Sequence, residues 1–150
     1  MPIKQTTPQF KVEQHIREQV DRIKQAIIYN LCAIGEKVRN EALTNGSYTD
    51  RTKNLRSSIG YVVVVDGKVQ KIGDFGKSDG NKEGKDTGKN YALSLVKEYP
   101  KGITLIVVAG MKYAAYVSAK GYNVLESSEL LADQLVPDML KQLGIKHRKQ

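Results

Sequence analysis

The sequence predicts an α+β fold: a small antiparallel sheet of three to four strands, with a long N-terminal helix and a C-terminal helix. Three observations lead to this prediction. Apolar residues recur every three or four positions from Val12 to Ala42, β-branched and aromatic residues fill Ile59 to Val65 ahead of an Asp-Gly pair, and a near-continuous apolar run covers Gly102 to Ala109. The length of 150 residues predicts a single domain, residues 1–150.

The N-terminal helix is predicted from about Gln9 to Thr44, which is about 50 Å at 1.5 Å per residue. A compact domain of this size has a radius of gyration of about 15 Å, so the helix is expected to project beyond its own core. Val12 and Ile16 lie toward the end that the domain cannot cover. The sheet is expected to cover the middle of the apolar stripe: Val20, Ile23, Ile27, Leu31 and Ile34.

A hairpin follows the long helix. Asp66-Gly67 is a preferred two-residue hairpin turn because both positions need positive φ, and Lys68 to Gly73 alternates as a returning strand should. The next segment, 74–89, is almost wholly Gly, Lys, Asp, Ser, Asn, Thr and Glu, a composition that predicts a mobile loop. A flexible basic tail is predicted at 145–150.

The C-terminal half predicts one short helix at Asn90 to Tyr99 and a last helix capped by Ser127 or Ser128. Met111 to Lys120 fits either a short helix or a strand, and periodicity does not decide between them. The apolar side of the last helix is expected to contain Leu130, Leu131, Leu135, Met139, Leu140 and Leu143.

The net charge of +8 comes from 24 Lys and Arg against 16 Asp and Glu. Acidic and basic residues interleave along the chain, whereas a dedicated nucleic-acid surface usually collects its basic residues on one stripe. The pattern therefore favours a solvated surface, with a DNA-facing or other polyanion-facing patch as the alternative. The candidate residues for that patch are Lys77, Lys82, Lys85 and Lys89.

The sequence lacks the residue patterns of a disulfide, a metal site and a two-carboxylate nuclease. The single Cys32 excludes an internal disulfide and a cysteine zinc site, and neither His15 nor His147 has a metal-ligand pattern around it. A two-carboxylate nuclease would need converging acids, but Asp66 is explained by its turn, Asp74 by the loop that it opens and Glu98 by a helix end. We therefore expect no enzymatic activity, no catalytic or metal-binding residues and no cofactor.

Membrane insertion is not indicated. The longest apolar runs have the length of strands, far below the roughly 20 residues of a membrane span, and no signal peptide is visible. We expect a soluble chain made in a reducing cytoplasm.

The sequence has eight tyrosines and no tryptophan. Tyr113 and Tyr116 lie among the small residues Ala114 and Ala115, a pattern typical either of the edge of a core or of an interface, where tyrosine is enriched. Together with Val12 and Ile16, they are the candidate assembly residues.

Two segments resemble the tail-component family of long-tailed phages, the gene-product-ten-like neck or tail-completion proteins. Residues 51–59, Arg-Thr-Lys-Asn-Leu-Arg-Ser-Ser-Ile, are similar to the family's R-T-G-x-L-x-x-S-I. Residues 110–117, Gly-Met-Lys-Tyr-Ala-Ala-Tyr-Val, with Gly121 following, are similar to its x-Y-A-x-Y-V-E-x-G. Lys53 replaces the family's usual Gly, and Ser118 its usual Glu.

The resemblance implies a structural virion or prophage protein at the head–tail junction. Such a subunit would form a ring-like homo-oligomer that joins the phage connector to the tail, in the bacterial cytoplasm during assembly and then in the virion. Basic residues facing the lumen of a ring tolerate passing DNA without reading its sequence. The alternative function is a small basic nucleic-acid-associated binding module of a bacterium.

Overall fold

The computed structural model describes residues 9–50, 53–73, 75 and 82–145. The predicted α+β fold is confirmed, with a long N-terminal helix, a three-stranded antiparallel sheet and a C-terminal helix. In chain order the elements are α1 (Gln9–Asn45), α2 (Asn54–Ser57), β1 (Ile59–Val65), β2 (Lys68–Ile72), α3 (Lys82–Leu95), a 3-10 turn (Val96–Glu98), β3 (Ile103–Ala109), α4 (Ala114–Ala119) and α5 (Glu126–Gln142).

The sheet has the order β2-β1-β3, so β1 is its central strand. The predicted hairpin of β1 and β2 is confirmed, and its turn residues Asp66 and Gly67 have φ of 50° and 79°. Strand β1 is buried along almost its whole length, whereas every residue of β2 is exposed. The hydrophobic core therefore lies on the two faces of β1.

One face of β1 packs against α1 and α5. Tyr61 and Val63 from the strand join a cluster of buried residues from these helices, namely Leu31, Ile34, Val38 and Met139. A Cβ atom at Gly35 would lie 2.6 Å from the Tyr61 ring, so the glycine lets the ring lie flat against the helix. The Tyr61 hydroxyl donates a 2.7 Å hydrogen bond to Oε1 of Glu36, which fixes the strand to α1.

The other face of β1 packs against α3, which corrects the predicted mobile loop at 74–89 over its residues 82–89. Residues from Lys82 to Lys89 form the first half of α3, and the rest of the predicted loop, apart from Phe75, lies outside the described residues. The prediction was wrong for these residues because it assumed that a composition so poor in large apolar side chains has too little surface to bury. Gly84 and Gly88 instead give α3 a face without side chains, which packs directly on the backbone of Asn54 and Ser58.

The last third of the chain packs against the end of α1. The ambiguous segment Met111 to Lys120 contains helix α4. The predicted capping role of Ser127 or Ser128 is wrong, since α5 begins at Glu126. The Ser128 hydroxyl is instead buried and donates to the carbonyl oxygen of Val38 at 2.9 Å, which holds α5 against α1.

Two further predictions concern the apolar side of α5 and the C-terminal tail. Leu130 was expected on the apolar side of α5, but it is 68% exposed, so that placement is wrong. Of the predicted flexible tail at 145–150, only Ile145 lies within the described residues.

Candidate assembly surface

The N-terminal part of α1 extends beyond the core. Every residue from Gln9 to Gln25 is exposed, which corresponds to about 25 Å of helix at 1.5 Å per residue. Partial burial begins at Ala26, and the first fully buried side chain is Leu31. The predicted projection of the helix beyond its own domain is therefore present in the structure.

The projecting helix carries an apolar stripe, which we call the α1 stripe. Its residues and their exposed fractions are Val12 (37%), Ile16 (57%), Val20 (44%) and Ile23 (46%). Phe10, 64% exposed, lies beside it on the first turn. Soluble monomers rarely expose large contiguous apolar patches, and those that do usually use them for binding.

The exposure of Val20 and Ile23 corrects the expectation that the sheet covers them. Helical periodicity identifies which side of a helix is apolar, but it does not say where along the helix its partner ends. Strand β1 and helix α5 contact the C-terminal half of α1, so the uncovered part is longer than predicted. Val12 and Ile16 do lie in the uncovered part, and their role in an interface stays a prediction.

The candidate tyrosines lie at the opposite end of α1. Tyr113 and Tyr116 are 39% and 62% exposed, at the start of α4 and within it. Helix α4 packs through Ala114 on Tyr48, which follows the C-terminal end of α1. From Ile23 to that end α1 runs for about 33 Å. The structure therefore separates the α1 stripe from the exposed side chains of Tyr113 and Tyr116, which we call the tyrosine surface, instead of bringing them together.

Three of the four candidate lysines lie on α3. Lys82, Lys85 and Lys89 follow a spacing of three and four, which places them on one side of the helix. Lys82 and Lys89 are exposed, whereas Lys85 is half-buried. Asp86, also exposed, lies between them on the same side, so this face has mixed charge. Lys77 lies outside the described residues.

An apolar groove of about 510 Å³ lies between α1, β3 and α5. Ile27, Leu105 and Met139 line it, and its few polar neighbours include Ser128, whose hydroxyl is already bonded to α1. Such a lining offers no acid–base pair. The groove begins at Ile27, next to the end of the α1 stripe.

Titratable groups in the described residues do not form a reactive cluster. No group of three potential metal ligands occurs within residues 9–50, 53–73, 75 and 82–145. Partial burial raises the pKa of the Cys32 thiol, which keeps it protonated and unreactive at neutral pH. Partial burial also acts on Glu126, but hydrogen bonds from Ser118 and from the backbone of Val124 outweigh it and lower the pKa of that carboxyl.

None of the helices in the described part of the chain combines the length and the apolar character that crossing a membrane requires. Comparison of the chain with protein-family models, with curated proteins and with solved structures gives no match in any of the three. The resemblance to the phage tail-component family therefore rests on the two sequence segments quoted above.

Proposed function

We propose that this chain is a non-enzymatic structural subunit that works by assembling with copies of itself and with partner proteins. The observation that carries the proposal is the α1 stripe, which lies on an exposed segment of helix about 25 Å long. Helical segments in proteins owe most of their stability to packing of their apolar face, so a partner for this segment is physically favoured.

The proposed place of action is the head–tail junction of a tailed phage or prophage, where the subunit forms a ring-like assembly and joins connector to tail. The two motif segments support this place. A closed ring needs two unlike surfaces on each subunit. The α1 stripe and the tyrosine surface, at opposite ends of α1, are such a pair.

A structural role also agrees with what the candidate acids do in the fold. Asp66 was considered as a nuclease carboxylate, but its Oδ1 atom accepts a 2.9 Å hydrogen bond from the backbone N–H of Gly102. This bond ties the hairpin turn to the start of β3. Glu98 lies in the exposed 3-10 turn. Asp66 therefore has a structural partner, and Glu98 is an exposed residue of a turn.

The second candidate function is a small basic nucleic-acid-associated module. The observation that favours it is the position of Lys82 and Lys89 on one exposed side of α3, in a chain of net charge +8. Asp86 on the same side weakens the electrostatic attraction that non-specific binding to phosphates needs.

Two measurements on the purified protein separate these functions. Native mass spectrometry with negative-stain microscopy should show ring-like oligomers, and Tyr116→Glu should reduce them while the melting temperature stays unchanged, because Tyr116 is 62% exposed. Fluorescence anisotropy with a duplex DNA at several salt concentrations tests the second function. A protein that stays monomeric and binds duplex with a steep salt dependence would contradict the structural role and favour the DNA-binding one.

A further inference from the structure

We propose that, before rings assemble, the α1 stripe pairs with the α1 stripe of a second copy in an antiparallel two-helix contact. This inference rests on the proposed function, because it uses the same surface for self-association. It adds the identity of the partner, the direction of the two helices and their register.

The charges beside the α1 stripe determine whether the two helices run parallel or antiparallel. At helical periodicity, Glu13, Arg17 and Lys24 lie along one edge of the stripe, whereas Gln19 and Ala26 lie along the other, with His15 and Arg22 farther round on that second side. In an antiparallel pair related by a two-fold axis, each edge faces the same edge of the other helix. The edge that contains Glu13 and Lys24 then meets the same edge of the second copy, so these two charges can pair across the contact. In a parallel pair in register that edge would face the other one, which brings Lys24 toward Arg22 of the second copy and leaves Glu13 without a lysine opposite it.

The same charges determine the register. When Glu13 lies opposite Lys24 of the second copy, the two-fold axis creates the pair twice. Sliding the helices by one turn in one direction brings Arg17 opposite Lys24, and sliding them in the other brings the Arg17 side chains of the two copies opposite each other. Both alternatives place like charges together, which is destabilising.

The register set by the charges also fits the length of exposed helix. It places Ile16 beside Val20 of the second copy and Val12 beside its Ile23, so the apolar side chains of the two stripes cover one another. It also brings Gln9 of each copy near residue 28 of the other, where α1 enters its own core. The exposed segment is thus covered over its full length, and no buried residue of either core has to move.

The contact differs from the head-to-tail contact of a ring. It joins identical surfaces, so it stops at two copies, and it leaves the tyrosine surface at the far end of α1 free. Pairing therefore keeps the α1 stripe covered until a connector, tail or neighbouring subunit takes its place.

Charge-reversal variants test the pairing by sedimentation velocity of the full chain. Glu13→Lys alone and Lys24→Glu alone each replace two attractive pairs by two repulsive ones, so each should weaken dimerisation by about tenfold or more. An equimolar mixture of the two single variants restores both pairs across the contact. The mixture should form a heterodimer more tightly than either variant forms its own dimer.

The double variant Glu13→Lys/Lys24→Glu separates contacts between copies from contacts within one helix. Within the helix it places lysine near Arg17 and glutamate near Asp21, so its own side-chain pairs are worse than in either single variant. Recovery of the dimer to within about threefold of wild type can then come only from pairs between the copies.

Three results of this experiment would support or overturn the pairing. Recovery in both the mixture and the double variant supports the antiparallel register. Assembly that is indifferent to all three variants overturns the pairing and leaves self-assembly standing, whereas wild-type protein that is monomeric at every concentration overturns the pairing and the proposed function together.

Discussion

Replacing Gly88 with alanine tests how α3 is held against the rest of the fold. An alanine in a helix interior is normally more stable than glycine by about 1 kcal/mol, so an uncovered helix would be stabilised by the change. In this structure the new Cβ atom would lie 2.7 Å from the Cα atom of Ser58 and closer still to its carbonyl oxygen. Both atoms belong to the backbone at the start of β1, which cannot turn away as a side chain would.

The expected magnitude follows from these two opposing effects. Overpacking a filled site costs about 1–3 kcal/mol, and a clash with backbone belongs at the upper end of that range. Subtracting the gain in helix propensity leaves a loss of about 2 kcal/mol in the free energy of unfolding. Urea denaturation followed by circular dichroism measures it, with Asn90→Ala on the exposed side of α3 as the matched control. A Gly88→Ala protein more stable than wild type would refute the packing of α3 described above.

Three further predictions follow from the core and the sequence. Ile34→Ala, at a site 6% exposed, should lower the free energy of unfolding by about 2–5 kcal/mol. Ile16→Ala in the same helix should change that free energy by less than about 0.5 kcal/mol in dilute monomeric protein. Equal losses for the two variants in denaturant titrations would contradict this prediction. Burial raises the pKa of Tyr48 to about 12, so its contribution to the free energy of unfolding should be complete below pH 10 and should fall between pH 10 and 12, because Tyr48 ionises first in the unfolded chain. Denaturation of Tyr48→Phe across that range should lack this part of the decline. The purified protein should leave plasmid DNA intact with Mg²⁺ or Mn²⁺ on an agarose gel, and divalent-dependent cleavage that persists through repurification would contradict the non-enzymatic role.

The parts of the fold that the sequence predicts well are those determined by neighbouring residues. Asp66 and Gly67 predict the hairpin because their own backbone preferences make the turn. The long helix is equally local, since its period repeats from Val12 to Ala42. The first half of helix α3 was missed because Gly84 and Gly88 find their packing partner in residues about 30 positions earlier in the chain, which no local pattern reveals.

The extent of the candidate assembly surface also depends on contacts that no local sequence pattern reveals. The length of α1 predicts that part of the helix projects, and Val12 and Ile16 are indeed exposed. The boundary was wrong at Val20 and Ile23, because it depends on where β1 and α5 meet the helix. That meeting point is a property of the whole fold, and only the packing around Leu31 and Ile34 establishes it.

The central claim is that the α1 stripe serves contacts between molecules and not the folding of one molecule. Sedimentation velocity and thermal melting of Ile16→Glu test it most directly, with Gln25→Glu on the opposite side of the same exposed segment as the control. We expect wild type and Gln25→Glu to sediment faster as the concentration rises, and Ile16→Glu to remain a monomer with an unchanged melting temperature. An Ile16→Glu protein that assembles like wild type, or that melts as early as Ile34→Ala, would contradict the account.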